Sequence, residues 1–367
     1  AGLCSAHHLF MLQVGIVGFP NVGKSTLFKT LTKKQVPCEN FPFCTIEPNV
    51  GIVEVPDERL GKLTAKSQSQ KTIATAIEFV DIAGIVRGAS KGEGLGNKFL
   101  SHIREVDAIV HVVRAFVDPN VTHVEGSVDP LRDVEVIEIE LATADLATLE
   151  KYTNTVQSKM KAGKTKELEK ELALLERIRP ILAGGKMVSS MEMDGEEKKM
   201  IKSLALLTAK PILYIVNVDE ASAADLNWVS PLGKDRLAIP LSVKIESELV
   251  DLTKEEAASF MAELGIKESG LDRVIKKGYE LLNLITYFTS GEKESRAWTI
   301  TKGTKAPQAA GVIHTDFEKA FICAEVINWK DFVELGESGA KAAGKLRVEG
   351  KEYVVLDGDT CHFKVGI

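Results

Sequence analysis

The residue pattern near the amino end of the chain is typical of a phosphate-binding loop. Gly18 to Ser25 read G-x-x-x-x-G-K-S, after an apolar run and before a helical pattern at Thr26–Lys33. Glycines in such a loop let backbone N–H groups surround phosphate oxygens, and the helix N-terminus adds partial positive charge. We expect Lys24 to contact the β and γ phosphates and the Ser25 hydroxyl to bind Mg²⁺. A chance glycine turn is the alternative, which the strand–loop–helix context disfavours. The predicted phosphate-binding residues are Gly18, Asn21, Val22, Gly23, Lys24, Ser25 and Thr26.

A second motif, D-I-A-G at Asp81–Gly84, follows the third apolar run. An aspartate at a strand end, two residues before a glycine, is typical of nucleotide switches. Asp81 would hold Mg²⁺, through a water, and the Gly84 amide would sense the γ-phosphate. The tetrapeptide alone could be an ordinary strand-end turn, but its distance from the phosphate loop favours the switch.

Two further segments are candidates for parts that close on the ligand. Thr45, at the end of the run Asn40–Thr45, could close on Mg²⁺ and the γ-phosphate; a solvated loop threonine is about as plausible. Four glycines occur within Arg87–Gly96. A backbone so rich in glycine has little preferred conformation, as expected of a loop that orders around a ligand or of a plain flexible loop.

The residues that would read the base are unusual. Asn217-Val-Asp-Glu220 follows the fifth apolar run, where N-K-x-D reads guanine in most proteins of this fold. Glu220 is one methylene longer than the usual aspartate, and Val218 replaces the lysine that would stack on the base. A carboxylate displaced in this way should lose most of the selectivity for guanine, because an unpaired buried polar group costs about 1–3 kcal/mol. We therefore favour ATP over GTP. The alternative is a GTPase in which Asp219 takes the aspartate's place. Base contacts are predicted for Asn217, Val218, Glu220, Ser242 and Val243.

The group that positions the attacking water is also not the common one. Small GTPases use a glutamine just after D-x-x-G, and here Ile85 occupies that place. His123 is the best side-chain candidate because histidine titrates near neutrality, although a lone histidine more often has no role. Asn21 could help bind a monovalent cation such as K⁺ near the phosphates. The predicted catalytic residues are Lys24, Gly84 and His123.

The elements that must position these residues follow from the apolar pattern. Five nearly continuous apolar runs predict strands covered on both faces, with helical segments between them. They are Leu12–Val17, Val50–Val55, Ala76–Ile82, Ala108–Arg114 and Ile212–Val216. This is the pattern of a doubly wound α/β domain with a mostly parallel sheet.

A helical hairpin is predicted between the fourth and fifth strands. Asp129-Pro130 supplies an N-cap and a first-turn proline. Apolar stripes at helical spacing run along residues 134–156, with a break before Leu149, and along 168–182, on either side of a turn at 161–164. A solvated hairpin whose seam is only core is the simpler interpretation, and a partner-binding arm is the alternative.

The carboxyl-terminal part has a different residue pattern. Short runs at Ala297–Ile300, Gly311–Ile313, Phe321–Val326 and Tyr353–Leu356 are separated by turn residues. They predict a small mixed β domain with one or two short helices.

Composition excludes several classes of protein. The 367 residues include 46 basic and 52 acidic side chains, for a net charge of −6, and 44% are hydrophobic. This composition is that of a globular protein, and no run approaches the roughly 20 apolar residues that cross a bilayer. The acidic balance argues against coating nucleic acid through charge alone. Five cysteines without C-x-x-C spacing argue against a disulfide framework or structural zinc, and favour a reducing cytosol.

Taken together, these motifs resemble those of the YchF-type ATPases, which are Obg-related P-loop NTPases. The resemblance extends from Met11 to Ile367 and is strongest at Asn40–Asn49, Asp81–Asn97, Arg296–Trp298, Ala306–Glu318 and Asp357–Asp359. It implies ATP hydrolysis favoured over GTP, with Asn217 and Glu220 in an N-x-x-E motif, and a hydrophobic residue at Ile85. It also implies ribosome binding and a role in translation or stress. The chain departs from the family at residues 1–10 and at Val218 and Asp219.

The resemblance also implies the domain organisation. A P-loop NTPase G domain would cover 11–130 and 195–280, with an antiparallel coiled-coil hairpin inserted at 131–194. A carboxyl-terminal TGS domain of the β-grasp type would cover 281–367. Apart from the resemblance, Met11 is followed at once by a strand-like run and residues 1–10 lack the pattern of a signal peptide, so we expect them to be an added or atypical extension without a function.

Three hypotheses follow. The favoured one is a cytoplasmic, Mg²⁺-dependent ATPase switch, with ATP as substrate and the ribosome as partner, and without a membrane partner. The second is a GTPase of the same fold. The third is a nucleotide-gated adaptor with negligible turnover, in which the hairpin and the TGS domain could contact ribosome or RNA.

Overall fold

The structure is a computed structural model that describes residues 12–33, 49–82, 95–119, 121, 123, 126–225 and 227–366. Several predicted features lie outside the described residues: the extension 1–10, Thr45, Gly84, Ile85 and most of the glycine-rich loop. In the part of the chain that is described, no helix is both long enough and apolar enough to cross a membrane.

Two sheets organise the chain. The strands are β1 (Gln13–Val17), β2 (Val50–Glu54), β3 (Lys71–Ile73), β4 (Ala76–Asp81), β5 (Ala108–Arg114), β6 (Ile212–Asn217), β7 (Ala238–Leu241), β8 (Leu284–Ser290), β9 (Glu294–Thr301), β10 (Phe321–Asn328), β11 (Arg347–Glu349) and β12 (Asp359–Val365). The first sheet has the order β2-β4-β1-β5-β6-β7 and the second the order β11-β10-β12-β8-β9-β3.

The helices in chain order are α1 (Lys24–Lys33), α2 (Glu58–Ser67), α3 (Leu95–Glu105), α4 (Pro130–Ala162), α5 (Lys166–Ala183), α6 (Gly195–Lys202), α7 (Glu220–Ala224), α8 (Val243–Leu249), α9 (Lys254–Glu263), α10 (Gly270–Leu281), α11 (Ala306–Ile313), α12 (Thr315–Lys319) and α13 (Trp329–Ala342). Gly336, with φ 73°, interrupts the helical backbone inside α13.

The first sheet is the predicted doubly wound sheet. Its five expected strands form within one residue of their predicted ends, and all pairs are parallel except β2 with β4. Every residue of β5 is buried, because helices cover the sheet on both faces. The sequence did not indicate β7, a short strand that contains Pro240. Proline is tolerated there because β7 is an edge strand.

The helical hairpin forms from α4 and α5. The Asp129 side chain caps α4 by accepting from the Arg132 N–H, and the Thr165 side chain caps α5. The helices are antiparallel, since Arg179 reaches Glu150 and the Tyr152 hydroxyl donates to Glu171. The break in the apolar spacing before Leu149 lies within α4, which is one helix from Pro130 to Ala162. Its first turns pack into the core of the first sheet through Ile137 and Leu141.

The structure corrects several expectations for the carboxyl-terminal part. Gly311–Ile313 is the end of α11, because Ala306–Ala310 are small residues that form a helix after a first-turn proline. The segment 353–356 forms only an isolated bridge between Val354 and Lys305. Strands β8 and β12 were not among the predicted runs, and α11, α12 and α13 exceed the one or two helices expected.

Residues from the amino-terminal half complete the second sheet. β3 pairs in parallel with β9, and Leu60 and Leu63 of α2 share a core cluster with Phe288 of β8. The segment between β2 and β4 therefore packs on the second sheet, although it lies before the predicted domain boundary at 281 in the sequence.

A buried polar cluster lies beneath the first sheet. Glu138 of α4 accepts from the Tyr214 hydroxyl at 2.6 Å and from the Arg236 guanidinium at 2.8 and 3.0 Å. The His111 ring lies 5.5 Å from the Tyr214 ring, and its Nε2 has no hydrogen-bond partner among the described residues. Burial lowers the pKa of His111 from 6.5 to about 4.

This burial predicts a pH-dependent stability. The unfolded chain takes up a proton on His111 near pH 6.5, whereas the folded chain resists it until about pH 4. The free energy of unfolding should therefore fall by about 3 kcal/mol through this group as the pH drops across that window. We expect a His111→Phe variant to show a shallower decline than wild type in urea titrations. His102→Gln, at an exposed position of α3, is the control and should keep the wild-type slope. Equal slopes for wild type and His111→Phe would contradict the assignment.

Candidate functional site

A cavity of about 830 Å³ opens at the carboxyl ends of the parallel strands of the first sheet. Its phosphate-loop side is lined by Asn21, Gly23 and Thr26, and its deep part by Asn217, Val218, Ser242 and Val243. One wall consists of residues that follow β5: Phe116, Val117, Asp118, Pro119 and Val121. The rest of the lining consists of residues at the starts of α7 and α8: Asp219, Glu220, Ala221, Lys244 and Ser247. Ligands of open α/β sheets bind at this edge.

The phosphate loop has a backbone that only glycine permits at two positions. Gly18 has φ 149°, and a Cβ there would lie 2.3 Å from the Val112 carbonyl oxygen. Gly23 has φ 102°, and its Cβ would lie 2.6 Å from Nδ2 of Asn217. Asn21 also has positive φ, at 62°, which asparagine tolerates better than most residues. The loop is thus fixed by sterics and leads directly into α1.

The lysine of the loop is buried and charged. Lys24 is 8% exposed, and its Nζ donates to the Phe19 carbonyl oxygen at 2.6 Å. Burial lowers the pKa of Lys24 from 10.5 to about 8, while the charge of Asp81 acts in the opposite direction. Burial likewise raises the pKa of Asp81, and Lys24 opposes that shift. Asp81 lies opposite Ile16 at the ends of β4 and β1.

Two of the predicted Mg²⁺ donors, Ser25 and Asp81, are among the described residues, at the start of α1 and the end of β4. Ser25 and Thr26 are exposed at the start of α1, and Asp81 is partly buried beside Lys24. Hydroxyl and carboxylate oxygens are the ligands that Mg²⁺ prefers. The predicted donors Ser25 and Asp81 therefore fit the metal; Thr45 lies outside the described residues.

Asn217 connects the two halves of the cavity. Its side-chain Nδ2 donates to the Val22 carbonyl oxygen at 2.9 Å, and its Oδ1 accepts from the Val243 N–H at 3.2 Å. Asn217 is 5% exposed, so this amide is a buried bridge between the phosphate loop and the start of α8. The Ser242 side chain caps α8 and is itself buried. Sequence reasoning expected a base contact at Asn217 and did not foresee the bridge.

The two acidic residues of the base motif have different partners. Asp219 caps α7, accepting from the Ser222 N–H at 2.8 Å, and this bond holds the pKa of Asp219 below its ordinary value. Glu220 lies within 2.8 Å of Lys244 Nζ, and both side chains are more than half exposed. Val218 is 6% exposed and lines the cavity.

The structure does not bring His123 to the cavity. Its side chain is buried, and its Nε2 lies 2.8 Å from Asp133 Oδ2 in the first turn of α4. Asp133 is also paired with Arg132. The water-positioning role predicted for His123 therefore finds no support in this geometry.

One wall of the cavity was not predicted. Phe116, Val117 and Pro119 form an apolar surface just after the carboxyl end of β5. The rule that ligands bind beyond the carboxyl ends of parallel strands is the signal that could have identified this segment.

Family models match both ends of the chain. Residues 13–147 match a family described as 50S ribosome-binding GTPase. Residues 284–366 match the YchF-GTPase carboxyl-terminal family, described as a protein of unknown function.

Similar proteins extend over nearly the whole chain. The Ribosome-binding ATPase YchF of Bacillus subtilis is 53% identical, covering 97% of this chain and 100% of that protein. The Obg-like ATPase 1 of Oryza sativa is 46% identical, with coverages of 97% and 92%. Among solved structures, the Schizosaccharomyces pombe YchF GTPase superposes with a TM-score of 0.85 at 43% identity, covering 96% of this chain and 97% of that one.

The lowered pKa of Lys24 predicts how polyphosphate binding depends on pH. A phosphate ligand favours the charged ammonium, so above about pH 8 binding must be accompanied by proton uptake. The affinity for a nucleoside triphosphate should fall about tenfold between pH 7 and pH 9. Calorimetry in buffers of different ionisation enthalpy measures both effects. Lys24→Arg keeps its charge at every pH used, so its affinity should not change over this range. A wild-type affinity that is flat up to pH 9 would refute the assignment.

Proposed function

The chain belongs to the YchF family, and from this we propose that it is a Mg²⁺-dependent ATPase that acts as a nucleotide-controlled switch on the ribosome. The observation that carries the proposal is the combination of a glycine-shaped phosphate loop around buried Lys24 with Glu220 on the cavity wall. We further propose that it acts in the cytoplasm and that residues 281–367 form a TGS domain.

The residues of the phosphate side have distinct roles in this proposal. Backbone N–H groups of the loop and the start of α1 hold the phosphates, and Lys24 leaves the Phe19 carbonyl for a phosphate oxygen. Ser25, Asp81 and Thr45 would hold Mg²⁺, which when bound neutralises charge on the phosphates. We also propose that the Gly84 amide senses the γ-phosphate. K⁺ near Asn21 is the remaining candidate for aiding turnover.

The preference for ATP rests on the two carboxylates of the base motif. In a GTPase the aspartate of this motif accepts two hydrogen bonds from the guanine edge. Asp219 already accepts from the Ser222 N–H as a helix cap, so turning it towards a base would uncap α7. Glu220 is paired with Lys244 and is one methylene too long for the guanine geometry. This arrangement disfavours guanine without obstructing adenine.

Shortening the Glu220 side chain by one methylene tests the base preference. We expect Glu220→Asp to lower the ratio of ATP to GTP affinity by about tenfold or more, because the shorter side chain restores the guanine-reading distance. Competition of both nucleotides against a labelled nucleotide measures the ratio. Asp219→Asn retains a good helix cap and should leave the ratio unchanged.

Two outcomes would count against this assignment. An unchanged ratio in Glu220→Asp would mean that backbone geometry selects the base. A loss of GTP binding in Asp219→Asn would favour the alternative hypothesis, in which the protein is a GTPase and Asp219 reads the base. Phosphate release measured with and without ribosomes separates either enzyme from an adaptor with negligible turnover.

The hairpin tip supports the ribosome as partner. Four lysines lie within eight residues around the turn between α4 and α5: Lys159, Lys161, Lys164 and Lys166. All are exposed, and none is ion-paired with a described residue. At 1.5 Å per residue, Lys159 lies about 33 Å along α4 from Ile137 in the core. The hairpin tip of this acidic chain is therefore locally basic and lies far from the core of the first sheet. We propose that the hairpin tip contacts the phosphate backbone of ribosomal RNA.

Removing this charge tests the contact. We expect the combined replacement of Lys159, Lys161 and Lys164 by alanine to weaken ribosome binding about tenfold. The slope of log affinity against log salt concentration should become shallower by about two to three. Pelleting with purified ribosomes over a salt series measures both. Basal ATP hydrolysis should not change. The matched control replaces three exposed lysines of α6, Lys198, Lys199 and Lys202, by alanine. Equal losses in the two variants would show that only net charge matters.

A further inference from the structure

A charged side chain is buried beside the cavity without belonging to any predicted motif. Arg114 is the last residue of β5 and is 1% exposed. Its Nε donates to the Phe116 carbonyl oxygen at 3.1 Å, its Nη1 to Val121 at 2.9 Å, and its Nη2 to Asp118 at 3.2 Å. The guanidinium also lies 4.5 Å from the centre of the Phe116 ring.

All of these contacts are to one segment, residues 115–119 and 121, which we call the base-wall loop. In the described part of this loop the backbone has no helix or strand, and its internal backbone bond is a turn from the Val121 N–H to the Asp118 carbonyl at 3.2 Å. Burying a charge is costly unless polar partners satisfy it. Three carbonyl oxygens therefore stabilise Arg114, and Arg114 in turn fixes the path of the loop.

The base-wall loop needs such support because it exposes apolar side chains. Phe116, Val117 and Pro119 line the cavity, and the Val117 residue is 86% exposed. An apolar segment held out into solvent gains little from packing in the absence of a ligand, and ordering it costs conformational entropy. The Arg114 contacts offset that cost before the ligand binds, which is preorganisation of a binding surface.

The position of Arg114 relates it to the rest of the site. In the β5–β6 register Arg114 lies beside Asn217, and the Ala115 N–H donates to the Asn217 carbonyl oxygen at 2.8 Å. Asn217 fixes the phosphate loop and the start of α8, whereas Arg114 fixes the wall that follows β5. The two neighbours therefore hold two different parts of the cavity lining.

We infer that Arg114 is a positioning residue for nucleotide selection: it holds the base-wall loop against the purine base and has no part in holding the phosphates. This inference rests on the proposed function, because it assumes that the cavity binds a purine nucleotide. Arginine is required because its planar fork reaches three carbonyls while its face stacks on Phe116; lysine offers only a point charge.

The test compares a ligand that has a base with one that lacks it. In Arg114→Lys, we expect the Kd for Mg-ATP to rise about tenfold or more, and the Kd for Mg-tripolyphosphate to stay within about twofold of wild type. In hydrolysis assays KM should rise while kcat is retained. The ratio of ATP to GTP affinity should move towards one. Arg236→Lys is the matched control, because Arg236 is a second arginine held by hydrogen bonds, to Glu138 and to the Leu232 carbonyl oxygen, and neither of these partners lines the cavity; it should bind both ligands as wild type does.

The outcomes separate the inference from the proposed function. Wild-type protein that binds neither nucleotide would refute the proposed function itself. If wild type binds ATP, then unchanged ATP binding in Arg114→Lys, or an equal loss of ATP and tripolyphosphate, would overturn the role of Arg114. Should Arg114→Lys fail to fold, Arg114→Gln decides by the same titrations, since its side-chain amide keeps one donor for a carbonyl oxygen of the base-wall loop and removes the charged fork that reaches all three. Selective loss of ATP supports the inference, and any other result overturns it.

Discussion

The side-chain amide of Asn217 is the contact on which the geometry of the site depends. It accepts from the backbone where α8 begins and donates to the backbone of the phosphate loop, and both bonds are buried. Gly23 lies so close to this amide that a Cβ would clash with it. The phosphate and base halves of the cavity are therefore built as one unit. A shift in either half would leave a buried polar group without its partner, which costs about 1–3 kcal/mol.

Electrostatics on the phosphate side add a second constraint. Lys24 is buried against a carbonyl oxygen and near Asp81, so its charge is only partly compensated. Burial works against both charges, raising the pKa of Asp81 and lowering that of Lys24. An anionic ligand with a bound cation would relieve both, because it brings negative charge to the lysine and positive charge to the carboxylate. We therefore propose that the site favours a metal–polyphosphate pair over either ion alone.

The sequence predicted those parts of the fold and site that depend on local chemistry. The phosphate loop follows from sterics that only glycine satisfies, and the strands of the first sheet follow from buried apolar runs. The partners of side chains could not be predicted, because they depend on tertiary neighbours. Asp219 and His123 look available in sequence, yet one caps a helix and the other pairs with Asp133. Arg114 belongs to no motif, and its role emerges only from three carbonyls that the fold brings together.

The same distinction explains why the predicted domain boundary at 281 does not describe the packing. Sequence continuity assigns α2 and β3 to the first sheet, since they lie between β2 and β4. However, the apolar side chains of α2 are buried against β8 and α13, and β3 pairs with β9. Arg59 joins Asp57 to Asp357 across the junction. Asp357 also accepts from the Thr286 backbone N–H. A hinge at 281 would have to break this ion pair and expose Leu60 and Leu63, so the connection between β2 and β4 fixes the second sheet to the first. Because β4 ends at Asp81, one continuous segment extends from the phosphate site into the second sheet.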